Sequence, residues 1–395
     1  MRGRLLAVLP MSTRPAPGAP VERLLGSREF ALGADFIRTA WRSDHILARD
    51  EGLFRWQYLE NPGWKDPDQF SVSIIESDGK LDSLLGFVPF DLNLRGEILP
   101  ASWMSLWVSD PKNQSLAGVK AFLRVRNDYS VVASIGMSGF SSRTYRALGG
   151  VEIQSISRYV LFLQESKQRL LNFLLRNPGT ESTAVLEETY LRWNANRSLN
   201  LLPAVDWHIG RLENWDAEIW ERIRWSYVGA ARDFQFMKWR YLNHPRYEYS
   251  IFGATLEDQS GFVVWRIQPV SYPGAADGES ESPVMRIVDF FVTDERLAEV
   301  LVHKLLEHCE SEGVLFADFY STDLSLGSLL VSQGFSSVRD DWNLSIPTHF
   351  NPLTWSVSPL NSALVESEPQ GVAGQFSSGG FYLSLADSDQ DRPNV

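Results

Sequence analysis

"FRWQYLENP" spans residues 54–62 and "MKWRYLNHP" spans residues 237–245, with aromatic, basic and proline positions kept. The phrases stand 183 residues apart, and the segments after the two prolines match element by element. After Pro62, "FSVSIIES" and "LLGFVPFDLNL" flank the turn residues "DGK"; after Pro245, "YSIFGATL" and "GFVVWRIQPV" flank "EDQS". Alternating runs around such a turn predict a β-hairpin in each half. Next, "SWMSLWVSD" aligns with "MRIVDFFVTD", each followed by a segment whose apolar residues recur at three and four, as on a helix. The strands "YSVVASIGMS" and "VLFADFYST" come next, and then short helices that end at glycine, "SSRTYRALGG" and "SLGSLLVSQGF". Pro62 to Gly149 is 87 residues and Pro245 to Gly334 is 89, so the spacing holds across a whole domain.

A diverged tandem duplication accounts for this pattern. Its element order predicts an α/β fold (α+β mixed sheet) with two tandem domains, each a mixed, mostly antiparallel sheet flanked by helices. The expected division is 1–175, 176–350 and a C-terminal extension, 351–395, partly flexible and acidic. A chain of 395 residues is too long for one ordinary core, which agrees with two domains. In each half the repeated phrase belongs to the second helix. Trp56, Tyr58 and Leu59, and Trp239, Tyr241 and Leu242, are expected to pack beneath or beside a substrate cleft.

The net charge of -12 argues against nucleic acid, whose phosphates require a surplus of Lys and Arg. The one cysteine, Cys309, cannot form an internal disulfide and reads as a packed thiol in a reducing compartment. The apolar run Leu5–Leu9 is shorter than the ~7–15 residues of a signal core, and no run approaches the ~20 of a membrane span. A cytoplasmic protein is expected. No histidine pair, cysteine cluster or carboxylate spacing makes a metal site.

The strand "LWVSDP" (106–111), the segment "QSLAGVKAFL" (114–123) and "YRALGG" (145–150) resemble the acetyl-CoA-dependent GNAT acyltransferase superfamily. Its loop carries Arg or Gln three residues after the proline, usually glycine three further, and another glycine two beyond. Here Pro111 is followed by Gln114, Ala117 and Val119, with Gly118 between the two replaced glycines. A helix N-terminus offers N–H groups and partial positive charge, and small residues let a pyrophosphate approach. The resemblance implies that Trp107, Val108, Gln114, Ala117, Gly118, Val119 and Ser138 hold acetyl-CoA; an ordinary surface helix start is the alternative. The second half has no glycine between Gly278 and Gly313 and places Asp294, Glu295 and Glu299 near its helix start, where they would repel a pyrophosphate.

In the superfamily a tyrosine four residues before the last glycine protonates the departing thiolate. Tyr145 stands four before Gly149, whereas Leu330 stands four before Gly334. The resemblance makes Tyr145 the general acid; packing of its ring on the sheet is the alternative. Asp110 is named as catalytic beside the acyl site, although Asp-Pro is also an ordinary turn starter. His45, Glu60, Asp91 and Glu97 are the other candidates for a base.

By the same resemblance the protein moves an acetyl or other acyl group from acyl-CoA to an amine. The acceptor is a small molecule or sugar-linked amine, such as an amino sugar in bacterial surface-polysaccharide synthesis. The alternative is a catalytically silent pseudo-acyltransferase that binds a glycan or a protein. In the extension, "PQGVAGQFSSGG" reads as a flexible linker and "FYLSLAD" as a short docked strand. Asp387, Asp389 and Asp391 have the spacing of a calcium-loop start but lack its glycine and distant glutamate, so a solvated acidic tail is expected.

Overall fold

A computed structural model describes residues 20–112, 116–163, 165–176, 208–211, 223–270, 282–338 and 359–393, with a few single positions between 184 and 220. Gln114 lies outside the described residues. The first half runs through β1 (Val21–Gly26), α1 (Phe30–Ala40), α2 (Glu51–Tyr58), β2 (Gln69–Ser77), β3 (Lys80–Leu94) and β4 (Glu97–Ser109). It continues with α3 (Ala117–Asp128), β5 (Val131–Ile135), α4 (Gly139–Ala147), β6 (Val151–Ile153) and β7 (Ser157–Phe162). After α5 (Lys167–Leu175), β8 (His208–Arg211) and β9 (Val228–Ala230), a similar order returns. It comprises α6 (Phe234–Met237), β10 (Ser250–Leu256), β11 (Gln259–Val270), β12 (Ser282–Val292), α7 (Glu295–Glu312), β13 (Phe316–Ser321), α8 (Leu324–Ser332) and β14 (Ser336–Ser337). The chain closes with β15 (Ser362–Glu366), α9 (Val372–Ser378) and β16 (Phe381–Tyr382). No helix of the described residues is long and apolar enough to cross a membrane.

Local chemistry explains the recurrence. Asp78 and Gly79 take φ of 50° and 75°, the left-handed pair that a two-residue hairpin between β2 and β3 requires. Asp50 caps α2 by accepting the Leu53 N–H, and Asp233 caps α6 by accepting the Phe236 N–H. Beyond α6 the helix widens into a π turn over Lys238–Leu242.

Two mixed sheets result. The first is ordered β1-β2-β3-β4-β5-β15-β6, with β9 and β16 attached beside β3; the second is β14-β7-β13-β12-β11-β10-β8. Along these paths the pairing is antiparallel except for β4 with β5 and β12 with β13, which are parallel. The sheets do not divide at residue 175. β7, from the first half, pairs with β13, and β15, from the extension, pairs with both β5 and β6. The first sheet thus takes β9, β15 and β16 from beyond residue 175, and the second takes β7 from before it. An alternating strand specifies which face is buried, not which sheet it joins.

The repeated phrases meet face to face. The Trp56 and Trp239 rings stack at 4.7 Å and 16°, and each indole N–H donates to the other residue's carbonyl, at 3.0 and 2.9 Å. The two phrases therefore relate the halves by an approximate two-fold axis through this pair. One continuous apolar core runs from Leu25 and Phe54 across these rings to Phe290 and Leu305.

The extension differs from its expected form. "VAGQFSS" is α9, packed on β15 and β16 with Val372 and Phe376 buried. Only Phe381 and Tyr382 of "FYLSLAD" pair as a strand. Asp387 and Asp391 are not solvated: both are buried, ion-paired with Arg232 at 2.7 Å and Arg266 at 2.7 Å, while Asp389 pairs with Arg392 at 3.0 Å. Buried carboxylates persist only when paired, and the arginines paired with Asp387 and Asp391 lie far back in the sequence.

Candidate active site

The parallel ladder between β4 and β5 covers only Ala101–Met104 against Val131–Ser134. Beyond it, Leu85 faces Trp107 and Phe87 faces Met104, so Ser105 and Leu106 together oppose Gly86. This is a β-bulge, which bends and twists the bulged strand, and the β4–β5 register ends at Met104 and Ser134, next to it. Tyr58 of the repeated phrase secures the bend, its hydroxyl 2.9 Å from Ser105 Oγ, which also donates to the Gly86 carbonyl at 3.2 Å. In the second half Val264 faces Asp289 and Trp265 faces Ile287, leaving Val288 as the extra residue. Ser105 and Val288 occupy corresponding places relative to the repeated phrase.

Past the first bulge, α3 starts directly against β4. A Cβ at Gly118 would lie 2.7 Å from Trp107 Nε1 and 2.7 Å from Ser109 Oγ. Glycine at 118 thus lets helix and strand touch, a need that loop spacing alone does not reveal. The helix N-cap is Leu116, a residue with no side-chain oxygen to give the first turn. The Trp107 indole N–H is buried and has no acceptor among the described residues. An apolar cap and an orphaned donor beside small residues fit an anionic group. Ala117 is buried, Val119 half-buried, and Val108 buried within β4.

Tyr145 on α4 is fully buried, its hydroxyl 2.8 Å from Ser134 Oγ, the last rung of the parallel ladder. Burial pushes its pKa upward, so the phenol keeps its proton. Its ring packs edge-on against Phe122, which stacks on Trp107. Ser138 is exposed and caps α4 by accepting the Ser141 N–H at 3.3 Å. Asp110 accepts the Lys112 N–H at 2.9 Å in a turn and lines a recess with Leu32, Asp35 and Lys80, away from Tyr145.

A cavity of 570 Å³ opens between the halves. It is lined by Glu60, Asn61, Trp64, Lys65, Phe90, Asp91 and Trp103 of the first half, by Asp233, Phe236 and Trp239 of the second, and by Asp387 and Ser388 of the extension. Trp103 joins it to β4 and β5, being a rung of their ladder. Gln390, two residues beyond Ser388, donates to the Ile135 carbonyl at 3.1 Å. Two of the base candidates read from the sequence, Glu60 and Asp91, are exposed in this wall, and their carboxylates have no partner among the described residues. Asp233 is held by Phe236 N–H and Asp387 by Arg232. His45 is buried, its Nδ1 accepting the Leu47 N–H, and is no free base. Trp64, Trp103 and Phe236 escaped sequence reading because single aromatics on strands and loops carry no local signal.

The second half does not fit a coenzyme. Asp294 caps α7 by accepting the Arg296 N–H at 2.9 Å, and Glu295 occupies its first turn. Leu330 replaces the phenol and is buried. Asp294, Glu295 and Asp323 line a 540 Å³ cavity at this end, with Arg95 as its basic residue.

A scan against protein-family models finds no match, and a search of curated proteins finds none. Solved structures do match. A conserved protein of Enterococcus faecalis V583, described as a probable N-acyltransferase, is 14% identical over 87% of this chain and 72% of its own, with a TM-score of 0.53. Saccharomyces cerevisiae N-myristoyltransferase with bound myristoyl-CoA is 11% identical over 90% and 81%, at 0.50. A GCN5-related N-acetyltransferase from Anabaena variabilis ATCC 29413 is 12% identical over 87% and 72%, also at 0.50. At such identities the likeness is one of fold: the chain shares the fold of these acyltransferase structures.

Proposed function

We propose that the protein is an acyltransferase that uses an acyl-CoA donor in its first half and acylates an amine held in the 570 Å³ cavity. The observation that carries the reading is the bulge at Ser105 and Leu106, which stands where the β4–β5 ladder ends, beside an apolar-capped helix start and one rung from the cavity. Ala117, Gly118 and Val119 at the start of α3, with Trp107, Val108 and Ser138, would hold the donor; bound there, it supplies an activated acyl carbon. That the yeast structure holds myristoyl-CoA supports an acyl-CoA donor and leaves acetyl as one of several acyl groups to assay.

The residues divide the proton work. An ammonium must lose a proton before it attacks, and Glu60 and Asp91, unpartnered among the described residues and facing the cavity, supply carboxylates of that kind and attract the cation. Tyr145 holds a proton at the end of the ladder for the leaving sulfur. Trp64 and Phe236, half-buried in the cavity wall, are the rings suited to a sugar, while Phe90 and Trp103 are buried and stack on each other; an amino sugar, as in surface-polysaccharide synthesis, heads the acceptors to assay. The tandem duplication is supported by the matching caps, bulges and paired tryptophans, and a cytoplasmic setting by Cys309, buried against Met285.

Calorimetry with acetyl-CoA and myristoyl-CoA, run on the wild type and Tyr145→Phe, tests this. Micromolar binding in both, with turnover of an amine panel lost in the variant, is the expected result. No binding of either donor at millimolar concentration would sink the reading in favour of a silent glycan- or protein-binding role.

A further inference from the structure

The second half carries the same device as the first, a bulge beside a short parallel ladder, yet something already fills the opening. The β12–β13 ladder ends at Ile287 and Phe319. The next carbonyl on β12, that of Val288, accepts the Ala386 N–H at 3.2 Å. On the other side, just past β13, the Thr322 N–H donates to the Leu383 carbonyl at 3.3 Å, and the Thr322 hydroxyl donates to the Phe381 carbonyl. Tyr382 Oη accepts the Phe290 N–H and lies 2.9 Å from the Phe290 carbonyl. One stretch of chain is therefore bonded to both lips of the gap.

Its grip is electrostatic as well. Arg232 is fully buried and receives Asp387 at 2.7 and 3.0 Å together with Asp289 at 3.1 Å. Ser384 Oγ donates to Asp289 at 3.0 Å, and the Tyr382 hydroxyl bonds to the same carboxylate. Arg240 donates to the Ala386 carbonyl at 2.9 Å, and Arg266 pairs with Asp391. Every residue from Phe381 to Asp387 is buried.

We propose that residues 379–391 are the permanent occupant of the opening between β12 and β13, close it to any coenzyme A-like ligand, and leave the molecule a single acyl-CoA site. The count of one rests on the reading of the first half; the occupancy of the second does not. In the first half the same segment reaches the corresponding strand end through a side chain, the Gln390 amide on the Ile135 carbonyl. The occupant also does local work, because Ala386, Asp387 and Ser388 form one wall of the cavity between the halves. The second half thus positions a wall of the first half's site.

Hydrogen exchange on the full chain, read by mass spectrometry for peptides within 379–391 with and without millimolar coenzyme A, tests this alongside a calorimetric count of bound coenzyme A. Exchange slowed at least about 100-fold relative to an unstructured peptide, unchanged by coenzyme A, with one equivalent bound, is the expected result. Rapid exchange, loss of protection on adding coenzyme A, or two equivalents bound would each overturn the proposal. Protection intact with no coenzyme A bound retires the acyl-CoA reading and leaves the occupant in place.

Discussion

Trp56 and Trp239 hold each other. Each ring covers the other, and each indole N–H satisfies the carbonyl its partner exposes at the end of a short helix. Trp56→Phe keeps an aromatic face but orphans the Trp239 carbonyl and trims the ring, which should cost about 1–3 kcal/mol in urea denaturation. Trp239→Phe should cost a similar amount. The double variant should lose less than the two single losses added, since both remove one shared contact; strict additivity would show that the rings act independently. Gly86 is a second critical position, because a Cβ there would lie 2.5 Å from Tyr58 Oη. Gly86→Ala should destabilise by about 1–3 kcal/mol through overpacking. It should also lower acyl-CoA affinity, as Tyr58 can no longer brace the bulge at Ser105.

At the scale of elements, the exchanged strands bind the halves into one folding unit. β15 is the inner strand between β5 and β6, so a chain ending at Ser358 leaves both as bare edges in the middle of a sheet. That chain should fail to give a soluble monomer by size exclusion and circular dichroism, whereas a variant lacking only Pro393–Val395 should fold normally. The hairpins, the two long helices and the glycine ends of the short helices α4 and α8 were legible because turn chemistry and apolar period act within a few residues. The exchange was not, since nothing local distinguishes a strand bound for its own sheet from one bound for its neighbour's. The same holds for the final acidic run. Its aspartates read as solvated until Arg232 and Arg266, more than a hundred residues earlier, are brought to them by the fold.

On the scale of the whole molecule, the candidate site exists only where the halves meet. Glu60 and Asp91 could be nominated from sequence as carboxylates; that they share a cavity with Phe236 and Ser388 comes from the two-fold contact alone. Two buried histidines, His244 against Trp56 at that contact and His45 within the first half, also make stability depend on pH. Burial, assisted by Arg240, lowers the His244 pKa from 6.5 to about 3, and burial with Arg392 and Arg42 lowers that of His45 to about 3. Below pH 6.5 the unfolded chain takes up protons that the folded chain refuses. Stability should therefore be full above pH 6.5 and fall with each step below it, by up to about 1.4 kcal/mol per pH unit for each imidazole. His244 Nδ1 accepts the Arg246 N–H, two residues on, just as Asn61 Oδ1 accepts the Gly63 N–H in the first half. His244→Asn keeps that acceptor and removes the titration. Its urea midpoint should change less than the wild type's between pH 6.5 and 4.5, with the slope of ΔG against pH reduced by up to one proton. An unchanged slope would mean that His244 is protonated in the folded protein, and that the contact between the halves is open to water.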